Sequence, residues 1–145
     1  MESLHYLLMK THGALSRRIV ASLHEIGLTS GQPKVLDFLA KHQEADQKTI
    51  AAYCEIEQTT VGSILSRMEQ GGLVIRRQRS GAPRSRYVSL THRGEQAAQQ
   101  VEELFTRAEA PILQALSEEE VTQLKLLLSK AYRAVQSASA EEAVQ

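Results

Sequence analysis

The segment from Glu57 to Arg93 constrains the fold most, because a helical apolar repeat is followed directly by a strand-like one. Its first part places apolar residues at positions i, i+3, i+4 and i+7, which predicts a helix over 59–71 with one side on a core. These residues are Val61, Ile64, Leu65 and Met68. The opposite side carries the short or planar polar groups of Thr59, Ser63, Ser66 and Gln70. Gly71 and Gly72 predict the end of the helix, since glycine tolerates the left-handed turn past a helix C-terminus.

A two-stranded hairpin with a basic tip is predicted after this helix. The run Leu73-Val74-Ile75 is rich in β-branched residues, and Tyr87-Val88-Ser89-Leu90 can pair back with it. The turn residues Ser80-Gly81-Ala82-Pro83 lie between the two runs, and arginines flank them at positions 76, 77, 79, 84 and 86. A polar-faced helix followed by an arginine-tipped hairpin is the layout of a winged helix. In that layout the helix enters the major groove of DNA and the wing reaches the backbone or the minor groove.

The charge of the chain is distributed unevenly although its total is neutral, with 17 Lys and Arg against 17 Asp and Glu. Residues 57–93 contain seven basic and two acidic residues, a net charge of +5. Residues 94–145 contain four basic and nine acidic residues, a net charge of −5, and residues 1–56 balance. An arginine cluster alone is also typical of a solvated surface. Beside a polar-faced helix, it favours double-stranded DNA as the partner.

Length and composition favour a single unit without a membrane segment. At 145 residues the chain can bury an aliphatic core. No run approaches the roughly 18 apolar residues that a membrane span needs. The first residues, MESLHYLLMK, lack the pattern of a signal peptide, and one cysteine excludes an intramolecular disulfide. These features predict a cytoplasmic protein.

Two helices are predicted before the central segment. The first covers about 2–26, where aliphatic residues recur every three or four positions. Thr29 or Ser30 can cap the second, and Pro33 falls in its first turn, where a missing N–H costs nothing. A polar loop is predicted next, around 43–45.

A helix-turn-helix is predicted around a tight turn at 55–58. Asp46 is the expected N-cap of its first helix, which covers about 47–53. Its second helix is the polar-faced helix over 59–71, for which Gln58 and Thr59 are alternative caps. The chain is therefore expected to be mainly α with a small β hairpin.

Long amphipathic helices are predicted after the hairpin. One is capped by Thr91, covers about 92–116 and is expected to be kinked or divided at Pro111. Ser117 and Glu120 form a capping box for the last helix. The small helix–hairpin unit cannot cover the apolar stripes of these helices, which predicts a two-fold dimer. The alternative is a helical domain that buries all of its apolar stripes within one chain.

The domain prediction follows from this arrangement. The chain is expected to be one unit over 1–145. Residues 28–93 form its winged helix-turn-helix, and residues 1–27 and 94–140 form its helical dimerisation part.

Three motifs, in this order, resemble the MarR family of bacterial transcription regulators. They are GLTSGQPKVLDFLA at 27–40, TTVGSILSRMEQGGLVIRR at 59–77 and RYVSLTHRGE at 86–95. The resemblance implies a dimeric winged helix-turn-helix whose first and last helices form the dimer interface. It also implies a sequence-specific repressor that binds a pseudo-palindromic operator. In many members a small phenolic or aromatic ligand, bound between the dimer helices and the reading domain, lowers the affinity for DNA.

The resemblance also implies which residues contact DNA. It places these helix residues at the groove: Thr59, Thr60, Gly62, Ser63, Ser66 and Arg67. Arg84 falls on the wing arginine of the family, and Arg77, Arg79 and Arg86 are the other hairpin arginines predicted to contact DNA. The family usually carries an acid two residues before the wing arginine, and here that residue is Ala82. This departure leaves a winged-helix protein-interaction module as the alternative to a DNA-binding protein.

Ligand and sensor sites are less defined by the sequence. A pocket for an aromatic or phenolic ligand is predicted from His12, Leu15, Arg18, Ile19, Phe38 and residues of the 92–116 helix, with DNA binding free of ligand control as the alternative. The histidines form no HxxxH or HExxH pair, so no metal site is assigned, and a metal-responsive regulator is kept as an alternative. Cys54 falls on the expected buried side of its helix, which favours a structural thiol over a redox sensor.

Catalytic patterns are not recognised in the sequence. It carries no nucleophile–base–orienter set, no glycine-rich phosphate loop and no paired-carboxylate motif. Helix capping explains Glu118-Glu119-Glu120 better than acid–base chemistry does. The sequence therefore predicts a protein that is not an enzyme and needs no cofactor.

Overall fold

The computed structural model describes the backbone of residues 1–79 and 82–145, and within these ranges the side chains of all residues except 79 and 82–85. By its internal contacts the chain forms two compact units, Met1–Ala108 and Glu109–Gln145. In chain order the elements are α1 (Leu4–Leu23), a 3₁₀ turn (His24–Ile26), α2 (Gln32–His42), β1 (Glu44–Asp46), α3 (Gln47–Cys54), α4 (Gln58–Gln70), β2 (Val74–Arg79), β3 (Ala82–Leu90), α5 (His92–Ala115) and α6 (Glu118–Val144). The predicted class is confirmed. The division into a DNA-reading and a dimerisation part stays a prediction.

The core of the first unit is aliphatic, as the scarcity of aromatic residues requires. Its fully buried side chains come from α2, α3, α4, α5 and the sheet, and include Leu36, Leu39, Ile50, Leu65, Met68, Val74, Val88 and Val101. The apolar side of α4 lies in this core, with Val61, Leu65 and Met68 at 0% exposure. The helical repeat that predicted α4 therefore also predicted which side of it is buried.

The start of α2 differs from the prediction. Neither Thr29 nor Ser30 is its N-cap; Gly31 is, with φ at 94° and no capping side chain. Residues with a side chain rarely adopt a φ of this sign, so this backbone conformation favours glycine. A Cβ at Gly31 would also lie 2.8 Å from Cδ1 of Ile64 on α4, the movable end of that side chain. Pro33 lies in the first turn, as predicted.

The predicted polar loop around 43–45 is partly wrong, because Glu44–Asp46 forms a third strand. This strand pairs antiparallel with β3, with Ala45 opposite Val88, and gives the sheet order β1-β3-β2. Ala45 is buried. Burial of Ala45 and pairing with β3 stabilise a segment whose own residue types are poor strand formers.

The helix-turn-helix is confirmed, with a different cap for its second helix. The Asp46 side chain accepts a hydrogen bond from Thr49 N at 2.8 Å and caps α3, as predicted. The N-cap of α4 is Glu57, without a side-chain hydrogen bond, and neither Gln58 nor Thr59. The Nε2 group of Gln47, on α3, donates to the carbonyl oxygen of Gln58 at 3.0 Å. A contact from the preceding helix thus holds the start of α4.

The junction between α4, the wing and α5 is tight. The α4 helix ends at Gln70, and Gly72 follows with φ at 74°. The Thr91 hydroxyl accepts a hydrogen bond from Gly94 N at 3.0 Å, which confirms the predicted cap, and donates to the carbonyl oxygen of Gly72 at 2.6 Å. A Cβ at Gly94 would lie 2.0 Å from the carbonyl oxygen of Leu73. These contacts join the end of α4 to the start of α5.

The second unit contains the end of α5 and α6. Ser117 and Glu120 form the predicted capping box. Pro111 lies inside α5, so the predicted division of that helix there is wrong, whereas the alternative of a kink stays a prediction. Several large apolar side chains of α6 are exposed, among them Leu126, Leu127 and Val135. None of the described helices is long and apolar enough to cross a membrane.

Candidate nucleic-acid interface

The outer side of α4 carries the helix residues that the sequence assigned to DNA. Thr59, Thr60, Ser63, Ser66 and Arg67 are exposed, and Gly62 is half-buried. The opposite side is fully buried, so the helix cannot rotate to hide its polar residues without exposing the core. The fold therefore presents one continuous polar surface along α4.

Hydrogen bonds within α4 orient the hydroxyl groups on this surface. Ser66 Oγ donates to the carbonyl oxygen of Gly62 at 2.9 Å, the backbone acceptor one turn earlier. Ser63 Oγ makes the equivalent contact to Thr59 at 3.4 Å, which is a long and weak hydrogen bond. Ser66 is therefore held more firmly than Ser63.

Arg76, on β2, is a residue of this surface that the sequence did not assign to it. One terminal nitrogen of its guanidinium donates to Ser66 Oγ at 3.1 Å and to the carbonyl oxygen of Gly62 at 3.3 Å. Alternation along β2 was the available signal, because Arg76 is two residues after the buried Val74 and so shares its side of the strand. The adjacent Arg77 is exposed.

The wing places its two described candidate arginines on opposite sides of the hairpin. Arg77 pairs with Tyr87, and Gln78 pairs with Arg86. Because neighbouring residues of a strand alternate between the faces of a sheet, Arg77 and Arg86 point to opposite faces. Both are exposed. Such a pair can contact both walls of a groove that receives the hairpin. The side chains of Arg79, Ala82 and Arg84 lie outside the described residues.

Known proteins with the same arrangement identify the family. The sequence model described as MarR family matches residues 26–84. The HTH-type transcriptional regulator FarR of Neisseria gonorrhoeae is 30% identical over 129 residues, with 88% of each chain covered. The chain belongs to the MarR family. This membership confirms the resemblance seen in the sequence. The MarR-family protein described here is therefore a DNA-binding transcription regulator, and such regulators are a class of protein distinct from enzymes.

Solved structures share the fold of this MarR-family protein. NadR in complex with 4-hydroxyphenylacetate superposes with a TM-score of 0.79 at 26% identity, over 90% of this chain and 93% of NadR. The MepR–DNA complex of S. aureus superposes with a TM-score of 0.82 at 24% identity, over 92% of this chain and 99% of MepR. At 24% identity, the likeness to MepR shows a shared fold and nothing about function. Together they confirm a winged helix-turn-helix.

The five residues assigned to a ligand pocket occupy different surroundings in the MarR-family protein. His12 is exposed, and Leu15 and Ile19 are half-buried on α1. The Arg18 guanidinium donates to the carbonyl oxygens of Arg107 and Ala108 on α5, at 3.4 and 3.2 Å. A cavity of about 550 Å³ beside α2 and α5 is lined by other residues, among them Asp37, Lys41, Leu90 and Glu102.

Phe38, the fifth of these residues, is buried and contacts two exposed rings, those of His42 and Tyr53. It is 3% exposed and stacks on His42, with ring centroids 4.2 Å apart and an interplanar angle of 20°. The ring of Tyr53 lies 4.7 Å away, measured between centroids. The rings of His42 and Tyr53 therefore already cover two sides of Phe38.

The structure bears on both sensor alternatives, a redox-active cysteine and a metal site. Cys54 is buried at the end of α3, and burial raises the pKa of its thiol. A raised pKa lowers the thiolate fraction at neutral pH, and the thiolate is the reactive form. Within residues 1–79 and 82–145, no three His, Cys, Asp or Glu side chains gather into a set that could hold a metal ion.

Proposed function

We propose that this MarR-family protein is a homodimeric repressor that inserts α4 of each subunit into the major groove of a pseudo-palindromic operator. The observation that carries the proposal is the exposure of Thr59, Ser63 and Ser66 on a helix whose other side is fixed in the core. Short hydroxyl side chains on such a surface suit base edges and phosphates. The half-sites would lie about 10 base pairs apart, one helical turn of DNA. The protein would act in the cytoplasm, without a catalytic activity.

The wing supplies the charge-dependent part of the proposed binding. Arg77 and Arg86 would contact phosphates or enter the minor groove, together with Arg79 and Arg84. On α4, Thr60, Gly62 and Arg67 are also proposed to contact DNA, beside Thr59, Ser63 and Ser66. A dimer brings two copies of each cation to one operator, so the affinity should fall steeply as the salt concentration rises.

A salt titration with a charge-matched control tests the proposal. The wild-type protein first selects its preferred DNA from a random pool. The affinity of wild type, Arg77→Gln and Arg17→Gln for this DNA is then measured at several salt concentrations. Arg17 is an exposed arginine of α1, so its replacement removes the same charge outside the proposed interface. Loss of one phosphate contact per subunit should flatten the slope of log K against log salt by about 1.8 for Arg77→Gln. Equal slopes for all three proteins would reject the wing contact. Failure of the wild type to enrich any sequence would reject the repressor.

Ligand control is the second part of the proposal. The structure of NadR, at 26% identity, is a complex with 4-hydroxyphenylacetate, which supports a small phenolic compound as the class of effector. Its site in this chain is proposed near His12, Leu15, Arg18, Ile19 and Phe38. A gel shift titrated with 4-hydroxyphenylacetate, and with its fragments phenol and phenylacetate, tests whether the ligand releases the protein from DNA. DNA binding that no compound of this class changes would remove ligand control from the proposal.

A further inference from the structure

The hydroxyl group of Ser66 has most of its hydrogen-bonding capacity occupied within the protein. A serine hydroxyl has one hydrogen to donate and two lone pairs to accept with. Ser66 Oγ lies 2.9 Å from the carbonyl oxygen of Gly62, and a carbonyl can only accept. The hydrogen of Ser66 therefore points along its own helix, away from a bound base.

Arg76 occupies one of the two lone pairs of the same oxygen. Its terminal nitrogen lies 3.1 Å from Ser66 Oγ, and a guanidinium can only donate. The same nitrogen donates to the carbonyl oxygen of Gly62, so two groups, Arg76 and the Gly62 carbonyl, fix the direction of the hydroxyl. Arg76 Nε is buried and has no hydrogen-bond partner in the described residues, which shows that the guanidinium is partly withdrawn from water.

We propose that Ser66 acts in DNA recognition as a hydrogen-bond acceptor and contacts the exocyclic amino group of an adenine or a cytosine. This inference rests on the proposed insertion of α4 into the major groove. The only donors on base edges in that groove are N6 of adenine and N4 of cytosine. Purine N7, guanine O6 and thymine O4 are acceptors, and one remaining lone pair on Ser66 cannot bond to them. Arg76 is then a positioning residue, because it acts on specificity through Ser66.

Ser63 provides the matched comparison on the same helix. It is exposed like Ser66, and its hydrogen bond to the carbonyl oxygen of Thr59 is long, at 3.4 Å. Arg76 donates to Ser66 rather than to Ser63. A hydroxyl held this loosely can rotate and either donate to a base or accept from it. The restriction to amino groups is therefore expected at Ser66 and not at Ser63.

The experiment begins by locating the base pair that Ser66 contacts. Random DNA is selected with full-length wild type, Ser66→Ala and Ser63→Ala, and the position whose preference disappears only in Ser66→Ala is taken as its contact. Ser66 and Ser63 are exposed, so neither substitution disturbs the core. Each dimer should show this loss at two symmetry-related positions of the operator.

Base analogues that lack single atoms then identify the atom. At the located pair, purine replaces adenine or 2-pyrimidinone replaces cytosine, which removes the amino group, and 7-deazapurines remove N7. Removal of the amino group should weaken wild-type binding about 3- to 10-fold per half-site, the size of one hydrogen bond, and should leave Ser66→Ala nearly unaffected. Removal of N7 should affect both proteins equally. Coupling of Ser66 to N7, or to no base atom, overturns the inference.

Substitutions of Arg76 test its positioning role. Arg76→Met removes one of the two partners of the hydroxyl and leaves only the bond to Gly62, so the hydroxyl is held less firmly and the penalty for removing the amino group should shrink. Arg76→Lys, which can also only donate, should keep the penalty. Circular dichroism and urea unfolding establish that each variant is folded. An unchanged amino-group penalty in folded Arg76→Met would reject the role of Arg76. If the protein binds a specific sequence but removal of the amino group affects wild type and Ser66→Ala equally, this inference alone is refuted. If the protein binds no specific sequence, the proposed function is refuted as well.

Discussion

At the scale of single residues, Gly94 fixes how closely α5 can approach the wing. A Cβ at this position would lie 2.0 Å from the carbonyl oxygen of Leu73, and only backbone movement could relieve that clash. Thr91, which caps α5 and bonds to Gly72, lies in the same junction. A side chain at position 94 therefore strains the contact between the start of α5 and the segment that joins α4 to β2.

Gly94→Ala is expected to lower the free energy of unfolding by about 1–3 kcal/mol or more, the usual cost of overpacking. Urea unfolding followed by circular dichroism measures it. Gly13→Ala in α1 is the control, since its Cβ would meet only the movable end of Arg17, at 3.3 Å. That substitution should stabilise the protein by up to about 1 kcal/mol through helix propensity. Equal stability of wild type and Gly94→Ala would contradict the close approach.

At the scale of elements, the Asp46 cap links α3 to the sheet, because Asp46 ends β1 and begins the helix-turn-helix. Hydrogen bonds from the Thr49 side chain and backbone lower the pKa of its carboxyl group. A carboxyl group whose pKa is lower in the folded state stabilises folding above its unfolded pKa. That contribution disappears as the pH falls through the folded value.

Asp46→Ala is expected to lower the free energy of unfolding by about 1 kcal/mol at pH 7, the usual cost of removing an N-cap. The difference from wild type should narrow as the pH falls below the ordinary aspartate range, where the wild-type carboxyl group becomes protonated. Asp46→Asn is the control, because asparagine caps helices without a charge. It should keep stability near neutral pH and lose the acid dependence. Urea unfolding at pH 7 and pH 3 measures both, and a pH-independent cost in Asp46→Ala would contradict the role of the charge.

The elements that the sequence predicted are those defined by local patterns. Apolar spacing predicted α4 and its buried side, and short-range cap patterns predicted Asp46, Thr91 and Ser117. The errors share a tertiary cause. The strand β1 depends on pairing with β3, α2 begins at Gly31 beside Ile64 of α4, and Gln47 of α3 holds the start of α4. Arg76 was missed because its role depends on the position of β2 beside α4.

At the scale of the whole molecule, the unit Glu109–Gln145 exposes large apolar side chains on α6. Leu126, Leu127 and Val135 are each 64–66% exposed. Large exposed apolar surfaces mark interaction sites, and two-fold pairing of identical chains is the commonest way to cover them. The proposed operator, with two half-sites, requires the same symmetry.

Leu127→Asp is expected to shift the protein from dimer to monomer, because each copy would place a carboxylate in the proposed apolar interface. Light scattering at micromolar concentration should give twice the 16.1 kDa chain mass for wild type and a lower mass for the variant. The variant should bind the operator more weakly by on the order of 100-fold, since the two half-sites are then no longer bound by linked subunits. Ser129→Asp is the control, because it adds the same charge two residues along the helix, outside the leucine stripe that contains Leu127. A monomeric wild type, or a Leu127→Asp variant that keeps both mass and affinity, would show that α6 does not join two subunits. The spacing of the paired α4 helices would then need another cause.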